Sequence, residues 1–256
     1  MKKETVKKFF EFLRKKEEKS SFLVDLQIGA DLAPYRGMEW VEPELNLAYT
    51  EVKNLPENLT IHGDLFLTQT PIEYLPSGLK VYGELNLVDS KIKELPEDLW
   101  AEVVILSGLA HPVVIPKTPK FLNLKMGYTV GIKLPEGFSL KGYLSLVNAN
   151  ISSLPSGMTV GEIRIGNSGL KELPDNLTVL QNLDVYKTQV SSIPKNLKIG
   201  GNLHISGTPL LRSFVRDVYN QKHVHELSPE EKRNVALVIK QEVESKGGYV
   251  KGKIQF

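Results

Sequence analysis

Cysteine is absent from the 256 residues. That excludes disulfides, thiolate nucleophiles, iron–sulfur clusters and cysteine-type zinc sites. It also favours a reducing compartment, read here as the cytoplasm. No apolar run approaches the ~18 residues that a membrane helix needs. The opening MKKETVKKFFEFLRKKEEK lacks the uninterrupted apolar core of a signal peptide, so no membrane is expected. An excess of one charge is lacking too: 32 Lys and Arg face 30 Asp and Glu, for a net +2. Nucleic acid cannot be argued from that balance alone. There is no glycine-rich phosphate loop, no His-Glu-x-x-His and no Gly-x-Ser-x-Gly. No cofactor and no metal is therefore expected.

What is present is a repeat. Leu/Ile-Pro begins at Leu55, Leu75, Leu95, Ile115, Leu134, Leu154, Leu173 and Ile193, in steps of 19 or 20 residues. Two apolar residues flank one variable residue at Leu45/Leu47, Leu65/Leu67, Leu85/Leu87, Leu144/Leu146, Ile163/Ile165, Leu183/Val185 and Leu203/Ile205. A small residue, usually with a hydroxyl, follows three positions later: Thr50, Thr70, Ser90, Ala149, Ser168, Thr188 and Thr208. An aliphatic comes two further on, then Leu-Pro. Glycine often sits two residues before the pair, at Gly63, Gly83, Gly142, Gly161 and Gly201.

An apolar–x–apolar pair is a short strand with alternate side chains inward. A period of about 20 residues is too short for a helix and a strand with loops. One coil cannot bury its own apolar row, but stacked coils can. The spacing therefore predicts a repeat solenoid, leucine-rich-repeat-like, with short parallel strands on one face. A right-handed β-helix is the alternative. The hydroxyl is expected to turn inward and bond the backbone of the next coil. The glycine is expected to supply a turn that a side chain would block.

The run Leu-x-Leu-x-x-Thr-x-Ile-x-x-Leu-Pro resembles the bacterial short leucine-rich repeat, over roughly residues 40–210. Thr or Ser replaces the usual asparagine. The segment LPSGLKVYG, and the tail SKGGYVKGKIQF, resemble solenoid proteins of bacteriophages and bacteria. The resemblance implies a phage protein that binds and blocks a host or defence factor in the host cytoplasm. Effector ubiquitin ligases with such repeats need a catalytic cysteine, so that activity does not carry over.

Three regions follow: an N-terminal helical cap over 1–39, the solenoid over 40–210, and a C-terminal helix–strand cap over 211–256. Val6, Phe9, Phe10 and Leu13 are spaced to pack a helix on the first coil. Ser228, Pro229 and Glu231 mark a helix start, Val235, Val238, Ile239 and Val243 its apolar stripe, and Gly247 its end. YVKGKIQF reads as a strand. Residues 100–133 look irregular, because their apolar pairs do not align without insertions. They are read as degenerate coils or as a kink presenting Trp100, Met126 and Tyr128 to a partner.

Stacking would place Asn46, Phe66, Asn86, Ser145, Arg164, Asp184 and His204 in one outward row, with Ala48, Thr68, Val88, Val147, Gly166 and Tyr186 beside it. The rows carry no repeated charge or aromatic code of the kind used to read bases. Varied side chains on a rigid sheet suit a protein partner. Phe66, Val88, Val147 and Tyr186 are the expected anchors, with Arg164, Asp184 and His204 setting specificity. The expected function is thus non-enzymatic protein binding. The alternative is nucleic-acid binding through Lys2, Lys3, Lys7, Lys8, Lys15, Lys16, Lys251 and Lys253. His223 and His225, and the repeated Glu44, Asp64, Glu84 and Glu162, are read as surface features rather than ligands or an acid–base pair.

Overall fold

Each Leu-Pro unit traces one coil of a parallel β-solenoid. The computed structural model describes residues 3–220 and 222–256, with the side chains of residues 3–7, 9, 10 and 12 outside that description. Every coil stacks on the last in parallel register, and helices flank the stack.

The strands occupy two ladders rather than one face. The first ladder points Trp40, Ile61, Val81 and Ala101 inward in adjacent coils, and later Leu140, Val160, Val179, Ile199 and Val250. The second stacks Leu45, Leu65, Leu85, Val104, Leu124, Leu144, Ile163, Leu183, Leu203 and Ile254. A third side carries only the isolated bridges Tyr74 to Glu94 and Glu94 to Val114, and Val130 to Asn150. The Leu-Pro leucines and the aliphatics before them close the core there: Ile72, Leu75, Ile92 and Leu95 are all buried.

Glycine lies where the two ladders meet, and its reason is proximity. A Cβ on Gly161 would sit 2.3 Å from the Lys141 carbonyl oxygen, and one on Gly63 would sit 1.8 Å from that of Pro43. Neither glycine has a positive φ. A side chain is blocked there, as expected, but the reason is the close approach of the coils rather than a turn only glycine can make.

Positive φ occurs in the turn after Leu-Pro, as at Asn58, Asn176 and Asn196, and in the turn after the second ladder. Tyr49, Gln69, Asp89, Asn148 and Lys187 have φ between 53° and 62°. The hydroxyl residue follows and points inward as expected, but it bonds its own turn. Thr70 donates to the Leu67 carbonyl at 2.8 Å, Ser90 to Leu87 at 2.9 Å and Thr188 to Val185 at 2.8 Å. The i−3 carbonyl thus satisfies each of these buried hydroxyls locally. Thr129 differs, donating to Leu106 in the preceding coil at 2.7 Å.

Residues 100–133 are regular. Val104/Leu106 and Leu124/Met126 are the missing apolar pairs, in register with Leu85 and Leu144. A shift of pairing between Val81 and Glu84 absorbs the shorter 19-residue step from Leu85 to Val104. Met126 is 0% exposed. It fills the position of Leu47 and Leu67, and the reading of Met126 as a partner-facing anchor is corrected on that ground.

Helix α1 (Lys3–Ile28) precedes the first coil. Among the described residues, Phe22 and Leu26 are its buried side chains, and Phe22 packs 6.1 Å from the Trp40 ring and 5.1 Å from Tyr35. The Tyr35 hydroxyl donates to Asp25 at 2.6 Å, and that bond pushes the phenol up to about 12. Leu13 is exposed, so it does not pack on the coil as expected; the side chains of Val6, Phe9 and Phe10 lie outside the described residues.

At the other end, α2 (Pro209–Tyr219) and α3 (Pro229–Ser245) leave the stack after Thr208. The expected start of α3 is present. Ser228 Oγ accepts from the Glu231 N–H at 3.2 Å, and Glu231 accepts from the Ser228 N–H at 2.9 Å. Val235, Ile239 and Val243 are buried, and Val238 is half-buried. The tail then rejoins the solenoid as a further coil: Val250 stacks beside Ile199 and Ile254 beside Leu203. The glycine signature recurs there at Gly252, whose Cβ would meet the Gly201 carbonyl oxygen at 2.5 Å.

Burial of Met126 and exposure of Tyr128 give opposite expectations for two neighbouring truncations. Met126→Ala is expected to lower unfolding free energy by about 2–5 kcal/mol. Tyr128→Ala, on a side chain 71% exposed, is expected to change it by about 0.5 kcal/mol or less. Urea denaturation of both variants checks this; equal effects would contradict the register assigned to 100–133.

Candidate functional site

In-register stacking determines the surface as firmly as the core. Because Leu65 faces Leu85, Phe66 must face Asn86; the same register sets Ser145 beside Arg164, Arg164 beside Asp184 and Asp184 beside His204. Coils repeat every ~4.8 Å, so the outward residues form one column along the second ladder. Phe66, Val88, Val147, Asp184, Tyr186 and His204 are half-buried, and Arg164 is exposed. The structure therefore brings all seven onto one face.

Neighbours hold most of these side chains in place. The Arg164 Nε donates to Glu162 at 2.6 Å, and its guanidinium lies 5.8 Å from the Tyr143 ring centre. The Tyr186 and His204 rings stack at 5.5 Å and 19°. Lys187 covers Tyr186 at 4.9 Å. Asp184 accepts the Tyr186 N–H at 2.9 Å and lies 3.1 Å from His204 Nδ1. Farther along, Asn86 Oδ1 accepts the Val88 N–H at 3.1 Å and the Thr68 hydroxyl at 3.0 Å. One end is thus apolar and amide-rich around Phe66 and Val88. The other is charged and aromatic around Arg164, Asp184, Tyr186 and His204.

Trp100, Met126 and Tyr128 do not form a second patch. Trp100 stands half-buried on the first ladder opposite Lys80, Met126 is core, and Tyr128 occupies the positive-φ turn, where its hydroxyl accepts from Asn148 at 2.8 Å. Sequence reasoning missed what Trp100 does join. Its ring lies 4.8 Å from Tyr82, which stacks on His62 at 5.5 Å. His62 and Tyr82 occupy one repeat position 20 residues apart, so the period itself could have paired them.

The lysines named for nucleic acid fall at opposite ends of the stack. Lys8, Lys15 and Lys16 are on α1, while Lys251 and Lys253 are in the last coil. Lys2 and the side chains of Lys3 and Lys7 lie outside the described residues. The described members thus form two groups, one on α1 and one in the last coil. His223 and His225 stack on each other at 5.6 Å and 8°. They edge a cleft of about 740 Å³ that opens between α2 and the turn at Ser206 and Gly207. The Glu226 carboxyl beside them is held below the usual carboxylate range, first by the His223 N–H donating to it at 2.7 Å.

The Asp184 carboxylate has a duty to the backbone as well as to the surface. Asn46 and Asn86 accept the N–H two residues on in the same way, at 3.1 Å each. Asp184→Asn is therefore expected to leave thermal stability unchanged, whereas Asp184→Ala is expected to cost about 1 kcal/mol. Calorimetry of the two variants checks this, and equal losses would contradict the assignment.

Comparison with known proteins finds no matching family model, no matching curated protein and no matching solved structure.

Proposed function

We propose that the protein is a binding module that holds a partner protein on the outward face of the second ladder. The observation that carries this reading is the preorganised column itself. Phe66, Val88, Val147, Arg164, Asp184, Tyr186 and His204 share one rigid face, and several are fixed by neighbours before any partner arrives. Preorganised side chains lose less entropy on binding than free ones. Phe66 and Tyr186 stand six coils apart, roughly 29 Å at the ladder spacing. A face of that length is enough for about 800 Å² of contact, the usual share of one partner in a stable complex.

The column varies in chemistry from coil to coil, which favours one shaped protein surface over a periodic polymer. The binding itself needs no chemistry along this face. Among the described residues, no helix is long and apolar enough to cross a membrane. The resemblance to short leucine-rich repeats and to phage solenoids supports a host or defence factor as the partner, met in the host cytoplasm and blocked sterically.

A tagged pull-down from host lysate, run with and without nuclease, tests the reading. One stoichiometric protein is expected, insensitive to nuclease and lost with combined Phe66→Ala, Val88→Ala and Tyr186→Ala. Retention of that partner by the triple variant would overturn the placement. Loss on nuclease alone would replace a protein partner by nucleic acid.

A further inference from the structure

The charged end of the column has a second arrangement that binding does not require. His204 Nε2 lies 2.9 Å from Ser206 Oγ, and His204 Nδ1 lies 3.1 Å from Asp184 Oδ1. One imidazole thus joins a hydroxyl on one side to a carboxylate on the other. A carboxylate at Nδ1 sets the tautomer that leaves Nε2 free to take the serine proton. The His204 side chain is 31% exposed and that of Asp184 37%, so the pair is reachable from solvent.

Ser206 also borders the 740 Å³ cleft, with Leu211, Val215 and Phe256 as apolar lining and Arg212 as a cation. Lys222 at the rim is neutralised by Glu231, and Arg216 faces Asp217 at 3.7 Å. Arg212 instead donates to the Gly207 carbonyl at 3.3 Å, beside the serine.

A backbone donor is free at the same place. In earlier coils the outward Asn46, Asn86 and Asp184 accept the N–H two residues on, whereas His204 spends its Nε2 on the serine hydroxyl. Among the described residues, the Ser206 N–H has no hydrogen-bond partner. An unpaired amide on the serine itself is a donor that a developing oxyanion can use.

The geometry points to a Ser206–His204–Asp184 acyl-transfer centre that hydrolyses a carboxylic ester seated in the cleft. Ser206 Oγ forms a bond to the ester carbonyl carbon as its proton passes to His204 Nε2. The carbonyl electron pair moves to oxygen, where the Ser206 amide can donate to it. Collapse breaks the carbon–oxygen bond to the leaving alcohol, which takes the proton from Nε2. Water then gives a proton to Nε2 and attacks the acyl carbon. The bond to Ser206 breaks, Oγ regains its proton, and an acid and an alcohol leave. No oxidant or metal is needed. Ser206 and His204 are the catalytic residues, and Asp184 is a positioning residue.

The repeat supplies its own control. Ser107 occupies the position equivalent to Ser206 in another coil, with Ile105 where His204 stands. The purified full chain is treated with a fluorophosphonate, which loses fluoride as phosphorus bonds to an activated serine, and labelled peptides are read by mass spectrometry. The adduct is expected on Ser206 and not on Ser107. Ser206→Ala should remove it, and His204→Gln should slow labelling and p-nitrophenyl butyrate hydrolysis about a hundredfold. Asp184→Asn keeps the backbone cap, so it should also slow labelling while abolishing the downfield Nδ1–H proton resonance of His204. No adduct on Ser206, labelling no faster than at Ser107, or a rate unchanged by His204→Gln would overturn the proposal. This inference goes beyond the binding reading, and partner capture by Ser206→Ala is expected to be unchanged.

Discussion

The closeness of adjacent coils is the constraint on which the rest depends. Parallel ladders hold neighbouring backbones ~4.8 Å apart, and at the junction of the two ladders the backbones come nearer than a Cβ allows. The Leu122 carbonyl oxygen would lie 2.4 Å from a Cβ on Gly142, and the Lys141 oxygen 2.3 Å from one on Gly161. Fixed spacing places Leu on Leu through the core. It also makes each coil's side chains accept from the next coil's backbone, as Asp64 does from the Glu84 N–H at 2.7 Å and Asn123 from Tyr143 at 2.9 Å. Most core hydroxyls find their partner within their own turn, Thr129 finds one in the preceding coil, and no buried side-chain polar atom among the described residues lacks a hydrogen bond.

The same spacing orders the surface. Residues 20 apart in sequence become neighbours, so the stacked rings of Tyr186 and His204 and the Asp184–His204 pair follow from register alone. The ends differ from one another. At the start, Phe22 and Leu26 of α1 cover the first coil around Trp40. At the finish, α2 and α3 interrupt the stack, and the cleft beside Ser206 lies where they depart.

Much of this was legible in the sequence because a repeat states the same physics many times. The Leu-Pro beat and the apolar pairs led to a solenoid with the correct inward residues, and the outward column followed by counting. Residues 100–133 misled because Val103, Val104, Ile105 and Leu106 form a continuous apolar run that hides the alternation, and Met126 stands where leucine was expected. The last coil was hidden by distance: Ile254 pairs with Leu203 from 51 residues away, although Gly252-x-Ile254-x-Phe256 repeats the glycine–pair signature. The first ladder of each coil was missed because two-residue strands such as Thr178–Val179 are too short for an alternating pattern. The Ser206–His204–Asp184 contact could have been found by adding one period to Asp184. A serine two residues from a histidine carries no signal until the third group is placed beside it.

The measurement that bears most directly on this account is equilibrium unfolding of Gly161→Ala beside Gly166→Ala. Both glycines have ordinary φ. A Cβ on Gly161 would press into two backbone oxygens, at 2.3 and 2.5 Å, while one on Gly166 would meet its nearest atom at an ordinary 3.4 Å. If coil proximity governs the fold, Gly161→Ala loses more than about 2 kcal/mol, as overpacking against rigid backbone does, and Gly166→Ala stays near the parent. Equal, small effects at both positions would contradict the account.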